Sequence, residues 1–280
     1  MRPQIAAAIN DMSGYGRCSL TVALPILSVM GVQCCPLPTA FLSTHTDDCF
    51  RGFTFHDMTK EIRPAYDHWK SVGVELDGVM CGFLGSEEQI GIVGGILREL
   101  RENGVFVLVD PVMADKGEVY KTYTPAMCAG MAELALAADI ITPNSTEASI
   151  LLGLPLSSKP ESESEAVQWL NDLSLGGKRS VVLTGVDFDG EHVGAAAFDK
   201  ASGRASFSYC RRVARYFPGT GDVFASVLMG ALMRKYNLDE AVKLAVSFIF
   251  ECMDYTVKSG GETREGIYFE PFLYKLAVDK

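Results

Sequence analysis

The sequence predicts an α/β fold in which a central, mainly parallel sheet lies between layers of helices, over a single domain of residues 1–280. Three observations predict it. Short apolar runs alternate with longer segments of helical period; two late segments alternate residue by residue around "DKASGR", as a hairpin does; and no internal repeat or linker interrupts the pattern. The sheet therefore acquires a mixed, antiparallel edge.

The strand candidates are residues 5–9, 32–37, 78–83, 105–109, 139–141 and 180–184, short runs rich in Val, Ile and Leu. Helical segments fall between them, near 18–30, 58–72, 87–103, 125–137, 145–152 and 163–173. Residues 192–198 and 205–212 make the edge hairpin. Three helices follow with no strand between them, near 222–235, 239–257 and 270–277. The first of these is the clearest, because Val223, Phe224, Val227, Leu228, Ala231 and Leu232 recur on one helical face. The stretches "LSSKPESESE" and "KSGGETREG" read as surface loops.

Composition narrows the function. Of the 280 residues 48% are hydrophobic and 21% charged, as in a soluble globular protein. A formal net charge of −10 argues against a nucleic-acid partner, which needs a basic surface. No apolar run reaches the ~18 residues of a membrane span, and the first ten residues enter a strand pattern and not the apolar core of a signal peptide. The eight cysteines form no CxxC pair and read as reduced thiols, so a cytoplasmic protein is expected. The four histidines form neither HxxxH nor HExxH, which removes the usual zinc arrangements.

In an open parallel sheet, ligands bind outside the carboxyl ends of the strands, so the residues there carry the functional reading. After the first strand comes "NDMSGYG", where Gly14 and Gly16 invite a dinucleotide reading. Ser19 stands where the third glycine of that fingerprint belongs, and the second strand does not end in an acid for a ribose, so a turn presenting Asn10 and Asp11 to a small ligand fits better. After the fourth and fifth strands come "DPVMADKGE" and "TPNSTE", which gather Asp110, Asp115, Asn144 and Glu147 at one rim. Oxygen donors beside a helix start suit Mg²⁺. Each residue also has a plainer role, since Asp before Pro ends strands and Asn caps helices.

Gly219-Thr220-Gly221-Asp222 opens the apolar helix. The first amides of a helix lack internal partners, and with the helix dipole they form an anion site that flanking glycines let a ligand approach. The same residues start and cap helices where no ligand binds. Together, the glycine turn, the acid rim and Asp222 describe phosphoryl transfer: the amides of Gly219, Thr220 and Gly221 stabilise the moving charge, and Asp222 takes the proton of an acceptor hydroxyl. No GxxxxGK[ST], HRD or DFG element is present, so neither the P-loop nor the protein-kinase solution applies. Arg211, Arg212 and Arg215 before the turn read as a solvated edge, and Met12, Met30, Met80 and the Cys34-Cys35 pair as packing.

With "GTGDVFAS", "DPVMAD", "ADIITPNSTEA" and "TAFLSTHT", the sequence resembles the ribokinase-like superfamily, and within it the pyridoxal kinase family, over nearly its whole length. The resemblance implies a ribokinase-like three-layer α/β/α sandwich and ATP-dependent phosphorylation of the 5′-hydroxymethyl group of pyridoxal, pyridoxine or pyridoxamine. It implies Asp222 as base and Gly219, Thr220 and Gly221 as anion hole. Asp115 and Glu147 would serve Mg²⁺, and Asp110 and Thr142 a monovalent ion, K⁺ or Na⁺. Asn144, Thr184 and Ile249 match nucleotide contacts. Asp11, Thr46, Phe83 and Tyr123 match the vitamer end, with Phe83 packed on the pyridine ring and Tyr123 on a covering loop. A homodimer paired through the sheet edge and early helices is implied too.

Two departures bear on the substrate. Asp11 stands where many pyridoxal kinases have serine, as in hydroxymethylpyrimidine kinases, and Asp47-Asp48 after "STHT" replaces a glycine and an aromatic residue. Extra acid favours a cationic vitamer, so pyridoxamine is expected to be used at least as well as pyridoxal. Against the pyrimidine kinases, the catalytic element here ends in Asp222 where a cysteine is common there. A hydroxymethylpyrimidine kinase, a sugar kinase and a non-catalytic nucleotide-binding sensor of vitamin B6 are the other readings, and a sensor has no need of Asp222.

Overall fold

The computed structural model describes residues 2–46 and 50–278; Asp47 and Asp48 lie outside the described residues. In chain order the first half comprises β1 (Gln4–Ser13), α1 (Leu20–Val29), β2 (Val32–Leu42), β3 (Phe55–Asp57), α2 (Thr59–Ser71), β4 (Gly78–Cys81), α3 (Glu87–Glu102), β5 (Phe106–Val109), β6 (Ala114–Asp115) and β7 (Glu118–Val119). The second comprises α4 (Pro125–Ala135), β8 (Ile140–Ile141), α5 (Ser145–Leu152), α6 (Glu163–Leu173), β9 (Ser180–Val186), β10 (His192–Asp199), β11 (Arg204–Arg211), α7 (Thr220–Met233) and α8 (Leu238–Lys258).

Nine strands form one sheet in the order β11-β10-β9-β8-β5-β4-β1-β2-β3. The six from β9 to β2 run parallel, while β3, β10 and β11 add antiparallel strands. Alternation along the inner strands sorts the core into two layers. Ala7, Ile9, Val79, Cys81, Val107, Val109, Val181 and Leu183 face α2, α3, α4, α5 and α6. Ala6, Ala8, Met80, Leu108, Ile140 and Val182 face α1, α7 and α8. A strand covered on both sides must be apolar on both, which is why these strands read as continuous hydrophobic runs.

The sequence reading differs from the fold in three places. Both edges of the sheet are antiparallel, because the three-residue β3 pairs with Ala40, Phe41 and Leu42 of β2. A second, two-stranded sheet of β6 and β7 interrupts the stretch after β5. The segment near 270–277 is a 3₁₀ helix, Glu270–Leu276, and not an α-helix. Pro271 lacks an amide, and the Phe272 amide bonds Phe269 three residues back, so the i→i+4 pattern never starts.

Candidate active site

The strand order reverses between β1 and β4, and the site is built at the carboxyl ends of those two strands and their neighbours. The register of β1 against β2 shifts between Asn10 and Met12, a bulge that re-aims the strand end. Asn10 and Asp11 are both buried there, at 5% and 6% exposure. Asp11 accepts from the Ser19 hydroxyl at 2.6 Å and the Ser13 hydroxyl at 2.9 Å, so each carboxylate oxygen already has a partner. Burial raises its pKa, and the two hydroxyls oppose that rise.

The two glycines of the α7 entry differ in what they do. Gly219 has φ +79°, and a methyl group there would lie 1.9 Å from the Arg17 carbonyl oxygen, so the fold itself demands glycine. At Gly221 the methyl group would meet only Asp110 Oδ2, at 3.8 Å, so this glycine leaves space in front of the helix start. Side chains cap α3, α4, α5, α6 and α8, whereas among the described residues none caps α1, α2 or α7, and of these three only α7 opens on glycines. Its first amides can therefore be approached by a ligand.

Asp222 sits in that first turn, partly buried, with Oδ1 accepting from Asn10 Nδ2 at 3.1 Å. Burial raises its pKa to about 6 and the charge of Asp11 adds to the shift, while the Ser19 amide and the Asn10 carboxamide oppose it. A carboxylate near pH 6 is largely ionised at neutral pH yet basic enough to take a proton.

The acid rim lies beside it. Asp110 accepts from the Thr142 hydroxyl at 3.0 Å. Burial and then the Asp222 charge raise its pKa. Glu147 accepts from the amides of Asn144 (2.9 Å) and Met113 (3.2 Å), and with Asn144 it makes the capping box of α5. Burial and then the Asp110 charge raise Glu147. Asp115 is half-buried on β6. Carboxylates that disfavour one another's ionisation make an all-oxygen set short of positive charge, which fits a hard cation. Among the described residues no three His, Cys, Asp or Glu side chains converge as a metal site, so the protein would supply few ligands and water or phosphate the rest.

Asn144 and Thr184 meet in an isolated parallel bridge, which joins the α5 entry to β9. Ile249 is half-buried on α8 and packs with the α1, α7 and α8 layer. Phe83 follows β4, its amide donating to Asn10 Oδ1 at 2.9 Å. Thr46 is exposed. Tyr123 lies in the loop between β7 and α4; it is 7% exposed, donates its hydroxyl to the Leu84 carbonyl at 2.9 Å, and holds its ring 6.0 Å from that of Phe83. It backs Phe83 from the core, because its apolar ring is better buried than exposed and its hydroxyl finds a partner there. Tyr120, three residues earlier, is 38% exposed and faces the rim, where partial loss of hydration and then the charges of Glu147 and Asp115 raise its pKa.

Sequence reasoning missed a second set of contacts around residues 14–17. Arg17 donates to Glu270 Oε1 at 2.6 Å and to the Glu265 carbonyl at 3.2 Å, and lies 4.5 Å over the Tyr268 ring. Tyr15 and Tyr268 each donate to the Glu265 carboxylate at 2.8 Å. His45 Nε2 lies 2.8 Å from the Arg264 carbonyl. The residues after α8 thereby brace the loop of residues 14–17 and the one carrying His45. No local signal marks this, since the partners are about 220 to 250 positions apart. As expected, Arg211, Arg212 and Arg215 are exposed, and Arg212 pairs with Asp187. A cavity of about 530 Å³ opens elsewhere, at the amino ends of β1 and β2, and its lining includes none of the residues of the acid rim or the α7 entry.

Residues 28–266 match the family described as Phosphomethylpyrimidine kinase. The chain is 27% identical over 273 residues to a pyridoxal kinase of Deinococcus radiodurans, covering 94% of this chain and 90% of that protein. It is 28% identical over 260 residues to a hydroxymethylpyrimidine/phosphomethylpyrimidine kinase of Aquifex aeolicus, covering 91% and 96%. Among solved structures, a putative phosphomethylpyrimidine kinase from Bacteroides thetaiotaomicron, crystallised with pyridoxal, superposes with a TM-score of 0.92 at 36% identity, covering 99% of this chain and 98% of that one. Pyridoxal kinase from Lactobacillus plantarum superposes at 0.87 with 27% identity, covering 99% and 97%.

Proposed function

The chain belongs to the phosphomethylpyrimidine kinase family and is a kinase of the ribokinase-like fold; on that premise we propose that it phosphorylates the 5′-hydroxymethyl group of a vitamin B6 vitamer with ATP. The observation that carries this reading is Asp222, one oxygen held by Asn10 and its pKa raised to about 6, at an uncapped helix start whose Gly221 leaves open space. The Asp222 carboxylate takes the proton of the vitamer hydroxyl as the hydroxyl oxygen bonds to the terminal phosphorus and the bond from phosphorus to the ADP oxygen breaks. Amides of Gly219, Thr220 and Gly221 donate to the moving phosphoryl group, where charge develops.

Asp115 and Glu147 would hold Mg²⁺, and Asp110 with Thr142 a K⁺ or Na⁺ ion; bound there, the cations supply charge neutralisation for the phosphates. Asn144, Thr184 and Ile249 form the nucleotide side, and Asp11, Thr46 and Phe83 the vitamer side, with Tyr123 supporting Phe83 from beneath. Pairing of two copies into a homodimer belongs to the same reading and is tested by sedimentation. No described helix is long and apolar enough to cross a membrane.

The vitamer reading draws support from the 36% identical structure crystallised with pyridoxal; by the family resemblance, Asp222 also stands where pyrimidine kinases commonly carry a cysteine. A hydroxymethylpyrimidine substrate is the second reading, favoured by the family description and the Aquifex aeolicus relative. The deciding experiment measures ADP release with Mg²⁺ and K⁺ against pyridoxal, pyridoxine, pyridoxamine and hydroxymethylpyrimidine in parallel. Turnover of a vitamer above the pyrimidine is expected; the reverse order overturns the substrate, and no turnover with any acceptor overturns the kinase reading in favour of a sensor.

A further inference from the structure

We infer that Asn10 is a positioning residue that sets the orientation of Asp222 and ties it to the element carrying Phe83. The inference rests on Asp222 acting as the base. All three polar contacts of the Asn10 carboxamide serve this end. Nδ2 donates to Asp222 Oδ1 at 3.1 Å, and Oδ1 accepts from the Phe83 amide at 2.9 Å and the Asp11 amide at 3.0 Å. The two acceptor bonds come from backbone, so they fix the carboxamide plane and direct the NH₂ group at Asp222. Asp222 Oδ1 is thereby held toward Asn10, while the Ser19 amide also donates to the carboxylate, so its plane is set by two donors.

The surroundings are shaped for this contact. The bulge in β1 begins at Asn10, and the side chain is 5% exposed. On the opposite wall stands Gly82, where a methyl group would lie 2.6 Å from Asn10 Nδ2 and 2.9 Å from its Cγ. Gly82 is absent from the glycines of positive φ, so space for the carboxamide, and not backbone conformation, requires glycine there. The carboxamide also couples two jobs: a displacement of Phe83 shifts Asn10 and hence Asp222, so seating of the acceptor ring and aim of the base are joined through one side chain.

The test is a double-mutant cycle on the full-length protein, using Asn10→Ala, Gly82→Ala and Asp222→Asn, alone and in pairs. Asn10→Ala is expected to lower kcat by on the order of 10²-fold with the KM for ATP little changed, since a small misplacement of a reacting group costs about that much. In the Asp222→Asn background it is expected to cost nothing further, because its effect runs through the missing carboxylate. Gly82→Ala, which crowds the carboxamide without removing it, is expected to follow the same pattern with a smaller loss. Equal losses in both backgrounds overturn the inference and leave Asn10 a structural residue. Should Asn10→Ala fail to fold, Gly82→Ala and Asn10→Asp, which keeps the shape and the acceptor but not the donor, carry the cycle. If Asp222→Asn alone keeps full activity, the base assignment has failed, an outcome distinct from additivity in the cycle.

Discussion

The base end of the groove and the acid rim beside it are both rich in carboxylates, yet they are finished to different degrees. At the base end, Asp222 and Asp11 accept from Asn10, Ser13 and Ser19, side chains of the same chain. At the rim, Asp110 and Glu147 find hydroxyl and amide donors, and yet burial and mutual charge raise both. Burial raises the carboxylates of both regions, but after burial the next influence differs: at Asp11 and Asp222 it is a hydrogen bond that opposes the rise, whereas at Asp110 and Glu147 it is a neighbouring carboxylate that adds to it. The difference teaches that hydrogen-bond donors from the chain can offset the burial of one acid, while acids that face one another call for a cation.

The largest test of that contrast is Asp222→Asn, expected to lower kcat by about 10²–10⁴-fold with the fold intact by circular dichroism. Next comes the glycine pair. Gly219→Ala drives a methyl group into the Arg17 carbonyl at a positive φ, and a loss of about 3 kcal/mol or more of stability is expected by denaturant titration. Gly221→Ala fills ligand space only, so kcat is expected to fall while the melting temperature stays within a degree or two of wild type. Equal destabilisation by both would erase the distinction drawn between them.

The same aspartate predicts a stability effect of opposite sign to its catalytic one. Its folded pKa of about 6 exceeds the ordinary 3.8, so the folded state binds the proton more tightly and loses stability as pH rises from about 4 to 6. Asp222→Asn avoids that ionisation. Without ligands it is expected to be more stable than wild type by about 1–3 kcal/mol at pH 7.5 and no more stable at pH 4, a shift read by thermal melts at both values. At the rim, Mg²⁺ with K⁺ is expected to raise the wild-type melting temperature, and Glu147→Gln, which keeps the cap of α5, to shrink that rise. Smallest of all, Tyr123→Phe removes one buried hydrogen bond to Leu84 and is expected to cost about 1 kcal/mol with kcat nearly unchanged.

Legibility in the sequence followed the range of the interaction. The inner strands and the α3, α5 and α8 helices could be read locally, because burial on both faces and caps such as Ser86, Asn144 and Asn237 write themselves within a few residues. The three-residue β3 and the β6–β7 pair could not, since strands that short are fixed by the partner they meet and not by their own period. Tyr120 and Tyr123 lie three apart in a stretch without periodicity, so nothing local decides which faces the rim and which the core. Asn10 and Asp222 are 212 positions apart, and only the fold brings them together. The glycines of "GTGD" were legible as a pair, but their division of labour depends on Arg17, about 200 residues away.

The bracing of residues 14–17 by the segment after α8 sets an order of events during synthesis. β1 and α1 leave the ribosome before the other elements described, yet Arg17 meets Glu265 and Glu270, and Tyr15 meets Glu265, only after α8 has emerged. Contacts of such separation are slow to close, so the loop of residues 14–17 is among the last parts of the site to set. A nascent chain therefore carries the glycine turn and the acid rim before residues 14–17 are braced, so the two halves of the site are completed at different times.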